Sequence, residues 1–343
     1  MSDFRSDTVT LPTGEMRKAM AEAKVGDDVY GEDPTVKQLE KIAAKLMGKE
    51  AGLFVASGTM ANLTAVLVHC QRGDEVLMGH LGHTFLFEGG GISALGGIFA
   101  HTLPNLIDGT MDIEEMSSAI RPDDIHQPHT QLLILENTHN RRGGVPISLE
   151  FTAMASELIH SHGMFLHLDG ARIFNAAVAL GVDAQDLAGP ADSVTFCLSK
   201  GLSAPVGSVL CGSRVFIEKA TRVRKMLGGG MRQAGILAAA GIVALETMID
   251  RLADDHRRAM QLAKALLDIS SLELDYGLPK TNMIFISLKE NSKFDGETLQ
   301  QELEKHGIRI GRIGKNNFRL VTHNGIEDED ISNAIDVFKG ILV

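Results

Sequence analysis

Apolar residues fall into two alternating textures along this chain. Short, mainly apolar runs at residues 52–56, 75–78, 98–102, 131–136, 165–168, 193–198 and 206–211, several of them apolar on consecutive positions, are separated by stretches where apolar residues recur every three or four positions. Short runs without a polar face predict strands buried on both sides, as in a mostly parallel sheet. The helical period predicts helices at 14–23, 35–47, 60–69, 112–120, 149–160, 173–180 and 214–227 that cover those faces. After the glycines at 228–230 the pattern predicts one long helix over 233–269. A different texture follows: strand 283–287, helix 295–306, strands 308–311 and 318–321, helix 327–339. The expected class is α/β. A large domain over 1–247 carries a mainly parallel seven-stranded sheet, and a small C-terminal α/β domain occupies 248–343.

Composition narrows the function classes. At 343 residues, with 44% hydrophobic and 22% charged positions, the chain has enough apolar surface for two cores and is not of a disordered type. A net charge of −11 disfavours nucleic-acid or anionic-membrane partners, though a small anionic ligand needs only a few placed arginines. Cys70, Cys197 and Cys211 form no CxxC pair and are odd in number, which suits a reducing cytoplasm. The start, MSDFRSDTVT, is too polar for a secretory leader, and the apolar stretch near 234–245 is too short for a bilayer.

The segments FLHLDGAR and FCLSKGLSAPVG carry the strongest chemical signal. Each apolar strand ends on a reactive group, Asp169 in the first and Lys200 in the second, at the strand ends where open α/β sheets bind ligands. Such a pair suits a pyridine ring bearing an aldehyde: the carboxylate meets the ring nitrogen and the amine condenses with the aldehyde. A buried Asp–Lys ion pair is the alternative. Gly58 and Thr59, in SGTMAN between a strand and a helix, could hold a phosphate on free N–H groups, or Ser57 or Thr59 could simply cap the helix. Arg232 follows three glycines in GGGMRQ, a loop that a helix break also explains. His83 could stack on a cofactor ring or exchange protons, or be a structural histidine. His126 lies in a polar loop where exposure is the default. The histidines lack the spacing of a metal hydrolase, and no metal site is expected.

Taken together, FRSDTVTLPT, VGDDVYGEDPT, ASGTMAN, ENTHN, LDGARIFNA, CLSKGLSAPVGS, LGGGMRQAG and FRLVTH resemble, in order and over nearly the whole chain, the threonine aldolases among the fold-type I pyridoxal-phosphate enzymes. The resemblance implies an aminotransferase-like large domain, pyridoxal 5′-phosphate as cofactor, and homo-oligomers (a dimer or dimer of dimers) whose active sites are shared. It implies Lys200 as the Schiff-base lysine, Asp169 at the ring nitrogen, and Gly58 and Thr59 at the phosphate, with Arg232 reaching that group from a neighbouring subunit. Ser6, Arg172 and Arg319 would bind the substrate carboxylate. His83 would stack on the cofactor, His126 would approach the substrate hydroxyl, and Tyr30 would contribute to the partner's site. The implied reaction is retro-aldol cleavage of L-threonine or L-allo-threonine to glycine and acetaldehyde. The base is left open between His83, His126 and a water. Other cofactor-dependent reactions, such as β-elimination or transamination, are the nearest alternatives.

Overall fold

The computed structural model describes residues 1–343. Its main sheet is built from β1 (Ala51–Val55), β2 (Glu75–Gly79), β3 (Phe99–Leu103), β4 (Thr130–Glu136), β5 (Phe165–Asp169), β6 (Ser193–Cys197) and β7 (Ser208–Gly212). The spatial order is β1-β7-β6-β5-β4-β2-β3, and only β7 runs antiparallel to its neighbours. All seven expected strands are present, each shifted by at most two residues at either end. Leu132, Leu133, Ile134 and Leu135 are all buried, as a strand covered on both faces requires.

Three helices matter most for the site. In α1 (Pro34–Leu46), Asp33 accepts from the N–H groups of Thr35 and Val36 at 3.0 Å, with Pro34 in the first turn where a missing N–H costs nothing. In α2 (Gly58–His69), Ser57 takes the cap, accepting from the Met60 N–H at 3.2 Å. The single helix expected over 233–269 is two, α3 (Gly235–Thr247) and α4 (Leu252–Leu267). The reason is tertiary. Helix α3 is buried in the core of the large sheet, whereas the apolar stripe of α4 packs in the second core, so one straight rod could not serve both.

That second core surrounds a four-stranded antiparallel sheet of β8 (Leu272–Leu274), β9 (Met283–Leu288), β10 (Gly311–Arg312) and β11 (Asn317–Val321), ordered β10-β11-β9-β8. The strand expected at 308–311 is divided. Ile308–Arg309 pairs in parallel with Ser2–Asp3, while Gly311–Arg312 pairs with β11. The N-terminal segment, grouped by sequence with the large domain, is therefore stitched to the C-terminal elements, and Phe4 is buried in their core. This strap carries residues 5–10 across the mouth of the large sheet. No helix is long and apolar enough to cross a membrane. The three cysteines are free and buried, and burial pushes the Cys70 thiol up to about 12.

Candidate active site

Parallel strands bring their carboxyl ends to one edge, and two acids sit side by side there: Glu136 ends β4 directly opposite Asp169 at the end of β5. Asp169 is 2% exposed. Its Oδ1 accepts from the Ala171 N–H at 3.1 Å and its Oδ2 from the Asn62 amide at 2.8 Å. Asn62, one turn into α2, gives its other amide hydrogen to Glu88 Oε1 at 2.9 Å, and its Oδ1 lies 3.1 Å from His167 Nε2. Burial drives His167 down to about 4, so it backs the acid as a neutral ring.

His83 borders both this acid and the cleft that holds the lysine. Its N–H donates to Glu136 Oε2 at 2.6 Å and its Nδ1 lies 2.8 Å from Glu88 Oε1. The Glu88 hydrogen bond raises the His83 pKa above that of ordinary imidazole against the effect of burial, with Asp169 adding attraction. Lys200 lies just beyond β6, on a loop held by its own carbonyl, which accepts from the Ser203 N–H at 2.9 Å and from Thr10 Oγ1 at 3.1 Å. His83 and Lys200 line one cleft of about 490 Å³, together with Ser6, Arg172 and Arg319.

The arginines are held differently. Arg172 donates from Nε and Nη2 to both Asp7 oxygens at 2.6 Å, a bidentate pair buried beneath the strap. Although burial opposes ionisation, the Arg172 guanidinium holds Asp7 well below the usual carboxylate range. Arg319 Nη1 donates to Asn140 Oδ1 at 2.7 Å, and the Asn140 N–H donates to Glu136 Oε1 at 2.8 Å. Arg319 Nε is buried with no acceptor, the state expected of a group awaiting an anion. Burial and repulsion by Arg172 pull the Arg319 pKa down to about 10, which leaves it charged at neutral pH. Ser6 faces the same cleft, its Oγ accepting from the Thr8 N–H at 3.3 Å.

At the far end, the N–H groups of Gly58 and Thr59 open α2 and have no intrahelical acceptor. A Cβ on Gly58 would come within 3.0 Å of Cys197 Sγ, so the backbone lies close against the end of β6, three residues before Lys200. Three of the expected residues do not reach this chain's own cleft. The side chain of His126 is 82% exposed and pairs with Asp124 at 2.7 Å. Tyr30 is exposed, and Arg232 lies 5.8 Å over its ring while bonding Asp27 at 2.8 Å. These two share one outer corner.

Ligand atoms of His83, Glu88 and Asp169 lie within 4.8 Å of one another. The Asn62 amide aims both its hydrogens at the two carboxylates, which favours anions held by donors over a cation between them. Asn62, Glu88, Glu136, Asn140 and Asp7 went unassigned in the sequence. All but Glu88 lie within a motif quoted above, but only the fold shows what each touches.

A family model for the β-eliminating lyases matches residues 3–291. The chain is 48% identical to low-specificity L-threonine aldolase 1 of Arabidopsis thaliana, covering 99% of this chain and 96% of that one. It is 44% identical to the low specificity L-threonine aldolase of Escherichia coli K12, covering 100% and 99%. The solved structure of Leishmania major threonine aldolase shares the fold, with a TM-score of 0.85 over the full length of both chains at 21% identity.

Proposed function

Because this chain belongs to the β-eliminating lyase family, we propose that it cleaves the Cα–Cβ bond of L-threonine, L-allo-threonine and related β-hydroxy-α-amino acids, releasing glycine and an aldehyde. The products from threonine are glycine and acetaldehyde. The observation that carries this reading is a single cleft holding an unpaired amine, Lys200, beside two arginines and His83, which Glu88 and Asn62 tie to Asp169.

The residues present fit pyridoxal 5′-phosphate. Lys200 would hold it covalently, Asp169 would face its ring nitrogen, and His83 would lie along its ring. Its phosphate would meet Gly58 and Thr59, where a close backbone and free N–H groups suit an anion. When bound, that cofactor supplies an electron-poor ring that accepts the electron pair freed at Cα.

The chain's own residues supply the rest. Arg172 and Arg319, with Ser6, clamp the substrate carboxylate and so fix which bond at Cα stands out of the ring plane. Asp7 presets Arg172 by occupying one edge of its guanidinium, and Glu136 couples the Asn140–Arg319 arm to the His83 backbone. Asn62 keeps Asp169 aimed through its amide hydrogen bond. With Nδ1 committed to Glu88, His83 Nε2 is the ring atom free to take the β-hydroxyl proton. Tyr30 and Arg232 act at a neighbouring subunit's cleft, since both are exposed and neither lines its own, and His126 likewise lies outside this chain's cleft.

Purified enzyme given L-threonine and L-allo-threonine is expected to yield glycine and acetaldehyde in equal amounts. Ammonia with a keto acid would instead indicate β-elimination. Lys200→Ala is expected to remove the cofactor absorbance band and nearly all turnover; retention of both would defeat the covalent role.

A further inference from the structure

The cleft carries more positive charge than this chemistry uses. Its wall holds Arg141, Arg172, Lys200, Arg312 and Arg319 and no carboxylate, in a chain whose net charge is −11. Asp7 answers Arg172, the proposed covalent bond engages Lys200, and the substrate α-carboxylate answers Arg319. Two cations remain. Arg141 has no ion-pair partner, yet its charge is felt at Arg319, adding to burial and to Arg172 in lowering that pKa. Arg312 has only Glu297 at 3.8 Å, with both side chains more than a third exposed, a pairing of little worth. Gly58 and Thr59 are not part of this wall, so the cofactor phosphate does not explain the surplus.

We propose that the cleft selects β-hydroxy-α-amino acids bearing a second carboxylate beyond the β-carbon, the smallest being 3-hydroxyaspartate, with Arg141 and Arg312 receiving that carboxylate. Cations lining a low-dielectric cleft focus the field on an incoming anion and are left without counter-charge by a methyl group. The inference rests on the retro-aldol reading above. With 3-hydroxyaspartate the Cα–Cβ bond breaks and the β-hydroxyl loses its proton. The hydroxyl oxygen becomes the aldehyde oxygen of glyoxylate, and the electron pair left on Cα takes a proton to give glycine. No further reactant is needed.

The test compares 3-hydroxyaspartate, threonine and β-phenylserine on the holoenzyme, scoring glycine and the matching aldehyde. The expected kcat/KM for 3-hydroxyaspartate exceeds that for threonine by about tenfold, the size of one charge-assisted hydrogen bond. In Arg141→Ala the ratio of the two is expected to fall about tenfold, mainly through KM, and Arg141→Lys should keep part of it. A binding readout stands beside turnover: calorimetry with L-aspartate and L-alanine, neither of which has a β-hydroxyl to cleave. Aspartate should bind about tenfold more tightly than alanine, with the difference gone in Arg141→Ala/Arg312→Ala. Cleavage of threonine without preference for the diacid, or a preference untouched by both substitutions, overturns the inference and leaves the retro-aldol reading intact. A preference for phenylserine overturns it in favour of the aromatic side of the same cleft, which Phe87 and Phe285 line. Cleavage of none of the three ends the retro-aldol reading and this inference with it.

Discussion

Glu88 collects two contacts on one oxygen, from the Asn62 amide and the His83 ring, and leaves its other oxygen buried and bare. Burial pushes the Glu88 pKa up, while the same carboxylate raises that of His83. The pH consequence follows from the histidine. A group whose pKa is raised on folding stabilises the protein below its unfolded value, about 6.5 for histidine, and that contribution is lost as pH rises through the folded value. Glu88→Gln should therefore lower the His83 titration midpoint, read from the imidazole C–H resonances. It should also cost more stability at pH 6 than at pH 9, by about 1 kcal/mol in urea unfolding. An unshifted titration would show that Glu88 does not govern the ring. Asp7 behaves oppositely. Its depressed pKa makes its contribution present above about 3.9 and lost only in stronger acid, so the Arg172 pair stays intact across the working range.

The loop joining β6 to β7 shows how an element fixes a reactive atom. It is closed by Leu198 N–H to the Gly207 carbonyl at 3.0 Å and by Ala204 N–H to the Leu198 carbonyl at 3.0 Å, with Lys200 between. Gly207 has φ +101°, and a Cβ there would lie 2.5 Å from the Phe54 ring. Gly207→Ala combines backbone strain with overpacking, and a loss of about 2–4 kcal/mol is expected in the denaturant midpoint. A change under about 0.5 kcal/mol would mean the loop tolerates a different path. Elements of this kind divide cleanly in how visible they are in a sequence. Most of the seven strands announce themselves because burial on both faces leaves few polar positions in the run, and Asp169 and Lys200 stand out as charges at or just past the ends of two of them. The break between Thr247 and Leu252 does not, because no glycine or proline marks it and only the competition of two cores requires it. The division at Ile310 is hidden for the same reason: two partners claim one short apolar run. Asn62, Glu88 and Glu136 are hidden because their roles arise from convergence of α2, β4 and the turn at His83.

At the scale of the whole molecule, Tyr30, Arg232 and His126 are the residues whose proposed roles a single chain cannot fulfil. The Tyr30 side chain would bury a large aromatic surface if covered, and Arg232 above it makes only an exposed pair with Asp27. Both features suit a surface that meets another copy, where two-fold symmetry would return the same pair to the opposite cleft. Co-expression of two inactive variants tests this directly. A Lys200→Ala chain keeps Arg232, and an Arg232→Ala chain keeps Lys200. In a mixed two-fold pair with shared sites, one cleft collects both defects and the other collects none. Random reassortment should then recover about a quarter of wild-type turnover, because half of the pairs are mixed and half of their clefts are whole. Substituting His126→Ala for Arg232→Ala should give the same recovery if that histidine also crosses. Clefts built entirely within one chain predict no recovery beyond the average of the two parents. Arg232 and His126 can give different answers, and the one that fails to complement must reach its own cleft by a loop movement rather than by assembly.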